Sequence, residues 1–319
     1  MKNSSIENLN KNKNKKDFLT LKDYSKDEIY HLINLTSKIK KDKNLYSSLL
    51  KGKSIALLFD KPSTRTRLSF EAAIEQLGGN CIYLDANTLQ IKRGETLQDS
   101  AKVFSGYLDG LVIRTFKQET VQIFAEHSTI PVINGLTDMY HPCQILSDLF
   151  TLNEIGLLNK SLKFTYLGDC NNVLNSLLIG FSKIGIDITV GCLAKYGPSK
   201  EIMEYALNQA EISGSKINII HDPVQAAAGK NVIYTDVWVS MGDEDSEEKI
   251  KELSKFQVNS ELLLHADEDV KVMHCLPAHR EQEITSDVLD GKNSIVWQQA
   301  ENRLYAQKAL LVYLFSKNE

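Results

Sequence analysis

The stretch at residues 59–79, FDKPSTRTRLSFEAAIEQLGG, gathers the hydroxyls of Ser63, Thr64 and Thr66 with two arginines, Arg65 and Arg67, where a helical pattern begins. A helix start carries partial positive charge, so an arginine there is unfavourable by itself. Free backbone N–H groups, hydroxyls and guanidinium together make a nest for a phosphate-like anion. With a dianion in place, dipole and arginine both become favourable. The competing reading is a surface helix with a Ser/Thr N-cap and solvated arginines. Composition bears on the choice. Of 37 basic residues six are Arg, at 65, 67, 93, 114, 280 and 303, which leaves 31 Lys. Lysine supplies the generic surface charge, so the few arginines are candidates for tasks that need the planar guanidinium fork. Ordinary salt bridges are still expected of at least two of them.

The other chemistry-bearing residues fall in clusters: Arg114; His141 with Gln144; Asp169 to Asn172; Asp236 with Ser240; His274 with Cys275. Each cluster, like Ser63 to Arg67, ends or follows an apolar run of strand length, at 54–59, 110–114, 131–134, 162–167, 231–235 and 270–273. Ligands of open α/β sheets bind outside the carboxyl ends of the strands. Six clusters are therefore expected to converge on one edge. Other chemistries lack their motifs: no GxxxxGK[ST], no GxGxxG at LGDCNNVLNSL, no HExxH and no GxSxG. The five cysteines (81, 143, 170, 192, 275) are odd in number and form no CxxC, as reduced thiols of a cytoplasmic protein would. His141/Cys143 and His274/Cys275 lack zinc-ligand spacing, and no metal is expected.

The elements that must position these groups alternate. Ser25 with Glu28 three residues on reads as a capping box before a helix. Apolar strands and amphipathic helices then follow in turn, which implies parallel sheets covered by helices on both faces. A long helix from Pro142, with proline at its favoured first position, separates two halves. With no Gly/Ser linker between them, the halves are expected to share a packed interface. Residues 1–16 carry five Lys and one Glu, hence +4 against −8 for the remainder of a chain whose net charge is −4. That composition reads as a disordered, solvated tail, with a nucleic-acid-binding arm as the lesser alternative. Neither a secretory signal nor a membrane-length apolar run is present. Hydrophobic content of 42% and charged content of 24% fit a soluble globular chain.

Ser63-Thr64-Arg65-Thr66-Arg67, His141-Pro142-Cys143-Gln144, DVWVSMG (236–242) and HCLPAHR (274–280) together resemble the ornithine carbamoyltransferases, in that family's order and from about residue 17 to the end. The first motif is shared by carbamoyltransferases generally; the last two are characteristic of the ornithine enzymes. The resemblance implies two doubly wound α/β domains beyond the 1–16 tail. Residues 17–147 would bind carbamoyl phosphate, completed by a C-terminal helix at 300–319, and residues 148–299 would bind ornithine. It further implies a homotrimer with active sites between subunits, no cofactor, and no nucleic-acid or membrane partner.

Carried over residue by residue, Ser63, Thr64, Arg65 and Thr66 hold the phosphate with Arg114. His141, Gln144, Arg114 and Thr66 bind the carbamoyl group, with Cys275, Leu276 and Arg303 completing that site. Gln90 reaches the carbamoyl phosphate of a neighbouring subunit. Asn172, Asp236, Ser240 and Met241 contact ornithine. Arg114, His141, Asp236 and Cys275 carry the chemistry, Arg67 is structural, and Arg93 and Arg280 are unassigned. Cys143 stands where Thr is frequent, and Glu281 where Gly is frequent. A thiolate at Cys275 would be a nucleophile or base; an inert buried thiol is the alternative. The resemblance implies direct attack of the ornithine side-chain amine on carbamoyl phosphate. An acceptor aspartate would call for basic residues where DVWVSMG offers an acid, and putrescine would not need the α-amino-acid contacts. A non-catalytic homologous subunit would not need the intact polar set. The acidic run after Met241, five acids in positions 243–248, is expected to be mobile and to close over the second substrate.

Overall fold

The computed structural model describes residues 15–239 and 247–316. Among them, nine strands form two sheets in which every pairing is parallel. The first contains β1 (Ser54–Phe59), β2 (Asn80–Asp85), β3 (Gly110–Arg114) and β4 (Val132–Leu136), in the order β2-β1-β3-β4. The second contains β5 (Phe164–Leu167), β6 (Ile188–Gly191), β7 (Ile217–Ile220), β8 (Val232–Thr235) and β9 (Lys271–His274), in the order β7-β6-β5-β8-β9. The central strands are apolar and covered on both faces, so they read as continuous hydrophobic runs.

Both orders contain a reversal. From β1 the chain winds out to β2 and returns to the other side as β3. From β5 it winds to β6 and β7 and returns as β8. A crevice opens where the winding reverses, outside the carboxyl ends of the two central strands. The segments after β1 and β3 and those after β5 and β8 carry the polar clusters, and this topology places them at the two crevices.

Two helices join the halves. Pro142–Glu154 leaves the first sheet with Pro142 at its start, and Val296–Phe315 returns from the second sheet to pack on it and on helix Arg65–Gln76. One continuous apolar core runs from Ile55 and Phe70 through Leu149 and Leu310 to Phe164 and Phe181. The halves therefore share a packed interface. The returning helix begins four residues before the expected position 300, because Val296 and Gln299 are buried and belong to its first turns.

Local signals account for several element ends. Ser25 and Glu28 form the reciprocal capping box of helix Lys26–Lys41. The run 231–235 forms a strand from Val232. It stops at Thr235, whose hydroxyl donates to the Leu167 carbonyl at 2.8 Å. Gly168 has φ +122°, and a Cβ there would stand 2.9 Å from the Trp238 indole nitrogen, so glycine is required where the chain turns out of β5. At the N-terminal end, Lys16 pairs with Glu28 and lies 4.4 Å from the Tyr24 ring centroid, while Phe18 bonds alongside β4. Among the described residues no helix is long and apolar enough to cross a membrane.

Candidate active site

A cavity of about 460 Å³ lies between the two crevices. Twelve of the residues given a role from the sequence line it: Ser63, Thr64, Arg65, Thr66, Arg114, His141, Gln144, Asn172, Asp236, Cys275, Leu276 and Arg303. Gln90 does not. It is exposed on the short 3-10 helix Gln90–Arg93, away from the cavity wall. Ser240, Met241 and the acidic run at 243–246 lie outside the described residues.

One wall is the start of helix Arg65–Gln76. Thr64 occupies the N-cap but makes no side-chain capping bond, and the first turn holds no acid. The helix N–H groups are thus left to the cavity rather than to a side-chain cap, against the surface-helix reading. The Thr66 hydroxyl accepts from Arg114 Nη1 at 3.5 Å and from Arg303 Nη2 at 3.2 Å, and Arg303 Nη1 donates to Gln144 Oε1.

Two other arginines do ordinary work. Arg67 pairs with Glu71 at 2.8 Å and stacks on Tyr83, and Arg280 pairs with Asp290. Arg65, Arg114 and Arg303 close no ion pair among the described residues. Burial, followed by the neighbouring Arg303 and Arg65, pulls the Arg114 pKa down to about 10. Burial lowers those of Arg65 and Arg303 as well. Such a cluster is costly by itself and favourable around a dianion.

His141 is the N-cap residue of helix Pro142–Glu154, fixed by its backbone N–H donating to Ser176 Oγ at 2.9 Å. Burial, then Arg303, Arg114 and Arg65, drives its pKa well below the usual histidine range. The ring is therefore neutral at physiological pH and offers a single N–H. His141 Nδ1, Arg114 Nε and Arg303 Nε are buried without a partner among the described residues. Buried polar atoms are ordinarily satisfied. Three such atoms on side chains around one cavity fit a wall shaped for a polar guest.

The opposite wall is acidic. Asp236 Oδ2 accepts from Asn171 Nδ2 at 2.7 Å, and Oδ1 accepts from Cys275 Sγ at 2.8 Å. Asn171 is the N-cap of helix Asn172–Ile184, its Oδ1 accepting from Val173 and Leu174 N–H groups. Asn172 Nδ2 donates to the Thr137 carbonyl at 2.6 Å, tying this wall to the first half. Burial and the adjacent Asp236 push the Cys275 thiol well above its usual range. The thiolate considered from the sequence does not fit this geometry, because Sγ is a proton donor to a carboxylate.

Asp236, His274 and Cys275 offer donor atoms within 4.8 Å of one another, a set with metal-ligand chemistry. His274 has both ring nitrogens committed: Nδ1 accepts from the Leu276 N–H at 2.9 Å and Nε2 faces Glu283 at 3.0 Å. A metal would have to break that arrangement, so the donor set fits poorly as a metal site.

Three lining residues had no role assigned from the sequence, Lys61 outside every cluster and Asp169 and Asn171 inside the cluster at 169–172. Lys61, buried and paired with Asp138, lines the cavity. Asp169 lines it and pairs with Lys249 at 2.9 Å. Asn171, not Asn172, holds Asp236. The signal for Asn171 was its place as an N-cap, which only the helix boundary reveals.

Comparison with known proteins agrees with this arrangement. Residues 16–154 match the family model "Aspartate/ornithine carbamoyltransferase, carbamoyl-P binding domain", and residues 160–314 match "Aspartate/ornithine carbamoyltransferase, Asp/Orn binding domain". The chain is 49% identical over 306 residues, 96% of each chain, to an ornithine carbamoyltransferase of Bacillus thuringiensis. It superposes on ornithine carbamoyltransferase from Pyrococcus furiosus with a TM-score of 0.91 at 45% identity, covering 95% of this chain and 98% of that one. For the anabolic ornithine carbamoyltransferase from Campylobacter jejuni the TM-score is 0.89 at 42% identity, with 94% and 98% covered. With both halves matched in order over nearly the whole length, this chain belongs to the aspartate/ornithine carbamoyltransferase family.

Proposed function

We propose that the protein transfers the carbamoyl group of carbamoyl phosphate to the side-chain amine of L-ornithine, giving L-citrulline and phosphate. The observation that carries this reading is the pairing of two walls: three arginines without acids around an uncapped helix start, facing a carboxylate, Asp236, across one cavity.

In this reading Ser63, Thr64, Arg65 and Thr66 hold the phosphate together with the helix N–H groups. Arg114 and the neutral His141 donate to the carbonyl oxygen, where negative charge grows during attack. The Gln144 amide nitrogen is committed to Asp148. Its oxygen is therefore the atom left to accept from the carbamoyl NH2, beside Arg303. Asp236 takes the α-ammonium of ornithine and Asn172 its carboxylate region, with the Cys275 thiol beside the reacting nitrogen. The amine must be neutral to attack, and the guanidinium cluster disfavours a second cation next to it. As the C–N bond forms and the C–O bond to phosphate breaks, charge passes to an oxygen already met by Arg65 and the helix start. Both substrates lie side by side, so direct transfer needs no covalent relay.

A dicarboxylate acceptor is disfavoured by the acids Asp236 and Asp169 on the second wall. Residues 17–147 with 300–319 would form the carbamoyl-phosphate unit, and 148–299 the ornithine unit. Gln90, exposed and off its own cavity, suits a role in a neighbour's site within a homotrimer. We place the enzyme in the cytoplasm, in arginine metabolism. The test is citrulline formation with ornithine, putrescine and aspartate as competing acceptors. Ornithine should be preferred by orders of magnitude, and preference for either competitor would overturn the assignment.

A further inference from the structure

Asp148 has no part in the chemistry above, yet it is fully buried one helical turn beyond Gln144. No cation pairs with it among the described residues. Its Oδ1 accepts from Gln144 Nε2 at 2.9 Å and from Gln299 Nε2 at 2.8 Å, and its Oδ2 accepts from the Tyr234 hydroxyl at 2.9 Å.

Each glutamine has its far end fixed by an obligate donor. The Gln144 oxygen accepts from the Arg303 guanidinium, and the Gln299 oxygen accepts from the His274 backbone N–H at 3.0 Å. Neither amide can turn over without leaving a donor unmet. Both therefore point NH2 groups at Asp148, which must accept from both. Protonating Asp148 on the remaining oxygen would leave the Tyr234 hydroxyl proton without its acceptor. One carboxylate thus fixes two amides. Through them it fixes two walls of the cavity: the Arg303 guanidinium and the end of β9, one residue before Cys275.

We propose that Asp148 is a positioning residue whose ionised carboxylate locks Gln144 and Gln299 and so aims Arg303 and the end of β9 at carbamoyl phosphate. The proposal rests on the carbamoyl-transfer reading. Its consequence is an acid limb of activity set by Asp148. Burial pushes the carboxyl up to about 6, against the three hydrogen bonds and the Arg303 charge that favour ionisation. The charged or titratable groups facing it are Arg303 from helix Val296–Phe315, Tyr234 from β8, and the Cys275 thiol after β9. Burial raises both Tyr234 and Cys275, so neither titrates in the window where Asp148 does.

The experiment is the pH profile of kcat for ornithine carbamoylation, at saturating substrates, in wild type, Asp148→Asn and Tyr234→Phe. Wild type should lose activity as pH falls through about 6. Asp148→Asn mimics the protonated state. It should be slower on the plateau by roughly 10- to 100-fold, as for a displaced positioning group, and it should lack that limb. Tyr234→Phe removes one donor to the carboxylate and should move the limb to higher pH, by about half a unit or more. If Asp148→Asn does not fold, Tyr234→Phe carries the test alone. A purely structural role would change melting temperature and leave the limb at its wild-type position in both variants, which would overturn the proposal. Failure of wild type to carbamoylate ornithine would instead count against the functional reading.

Discussion

Replacing Arg114 with methionine should stabilise the protein while abolishing its activity. Arg114 is 6% exposed, its Nε has no partner, and its one side-chain contact of hydrogen-bonding type is the long 3.5 Å approach to Thr66. Burial and two neighbouring guanidiniums bring its pKa down to about 10. Relative to a solvated arginine, that depression amounts to roughly 3 kcal/mol of cost for holding the charge in the folded state. The sign follows from proton binding. Above about pH 10 the unfolded chain keeps its proton better than the folded one, so stability is recovered only as pH rises through that range. At pH 7 to 8 the whole cost is present. Methionine has a comparable length, carries no charge and adapts to irregular surroundings. After the weak Thr66 contact is subtracted, a gain of about 1–3 kcal/mol should remain. For a chain of this size that is roughly 2–5 °C in melting temperature. The assay is thermal unfolding at equal protomer concentration in buffer without multivalent anions, with and without inorganic phosphate. Wild type should gain stability with phosphate, about 2.7 kcal/mol at a hundredfold excess over Kd. Arg114→Met should begin higher, gain less, and turn over at least about 100-fold more slowly. A variant less stable than wild type without anions would refute the account of a cluster held under electrostatic strain.

Arg65→Lys should keep the fold but slow turnover by roughly 10²–10³, because lysine keeps the charge and loses the fork; near-normal rates in a steady-state assay would remove the phosphate assignment. Cys275 should form no carbamoyl-thioester during turnover, and initial-rate plots should intersect rather than run parallel; mass-spectrometric capture of a carbamoylated Cys275 would count decisively against direct transfer. Asp236→Asn should raise the KM for ornithine at least tenfold through loss of the ammonium partner. It should also speed alkylation of Cys275 by iodoacetamide, since Asp236 holds the thiol protonated; an unchanged alkylation rate would show that it does not.

Much of the site was readable because local patterns carried it. SIALLF and GLVIR are buried parallel strands and look like it, and polar residues placed after such runs must emerge at the sheet edge. The scarcity of arginine marked Arg65, Arg114 and Arg303 for attention. What escaped was set by contacts between distant parts of the chain. Asn171 and Asn172 are chemically identical neighbours, and only the start of the helix decides that the first caps it and grips Asp236. Asp148 reads as one more polar residue on a helix that already carries Gln144, Ser147 and Thr151. Its meaning depends on Gln299, 151 positions away, and on Tyr234, 86 positions away. The protonation state of Cys275 likewise depends on a carboxylate 39 residues back, which no spacing rule reports.

These long-range contacts share a logic. The cavity is lined by three arginines and Asp236, and a second buried acid, Asp148, stands behind its Gln144 wall. Direct Arg–Asp pairing would be the simplest way to satisfy them, and would neutralise the field that a phosphate needs. Instead neutral groups meet both acids. The Gln144 amide separates Asp148 from Arg303, and the Cys275 thiol donates to one oxygen of Asp236. Each acid is satisfied by uncharged donors: Gln144, Gln299 and Tyr234 for one, Asn171 and Cys275 for the other. The arginines are thereby left positive toward the cavity, and neither acid is tied to them. Neutral glutamine and cysteine at these positions let opposite charges coexist in one site, the arginines suited to an anion and Asp236 to a cation.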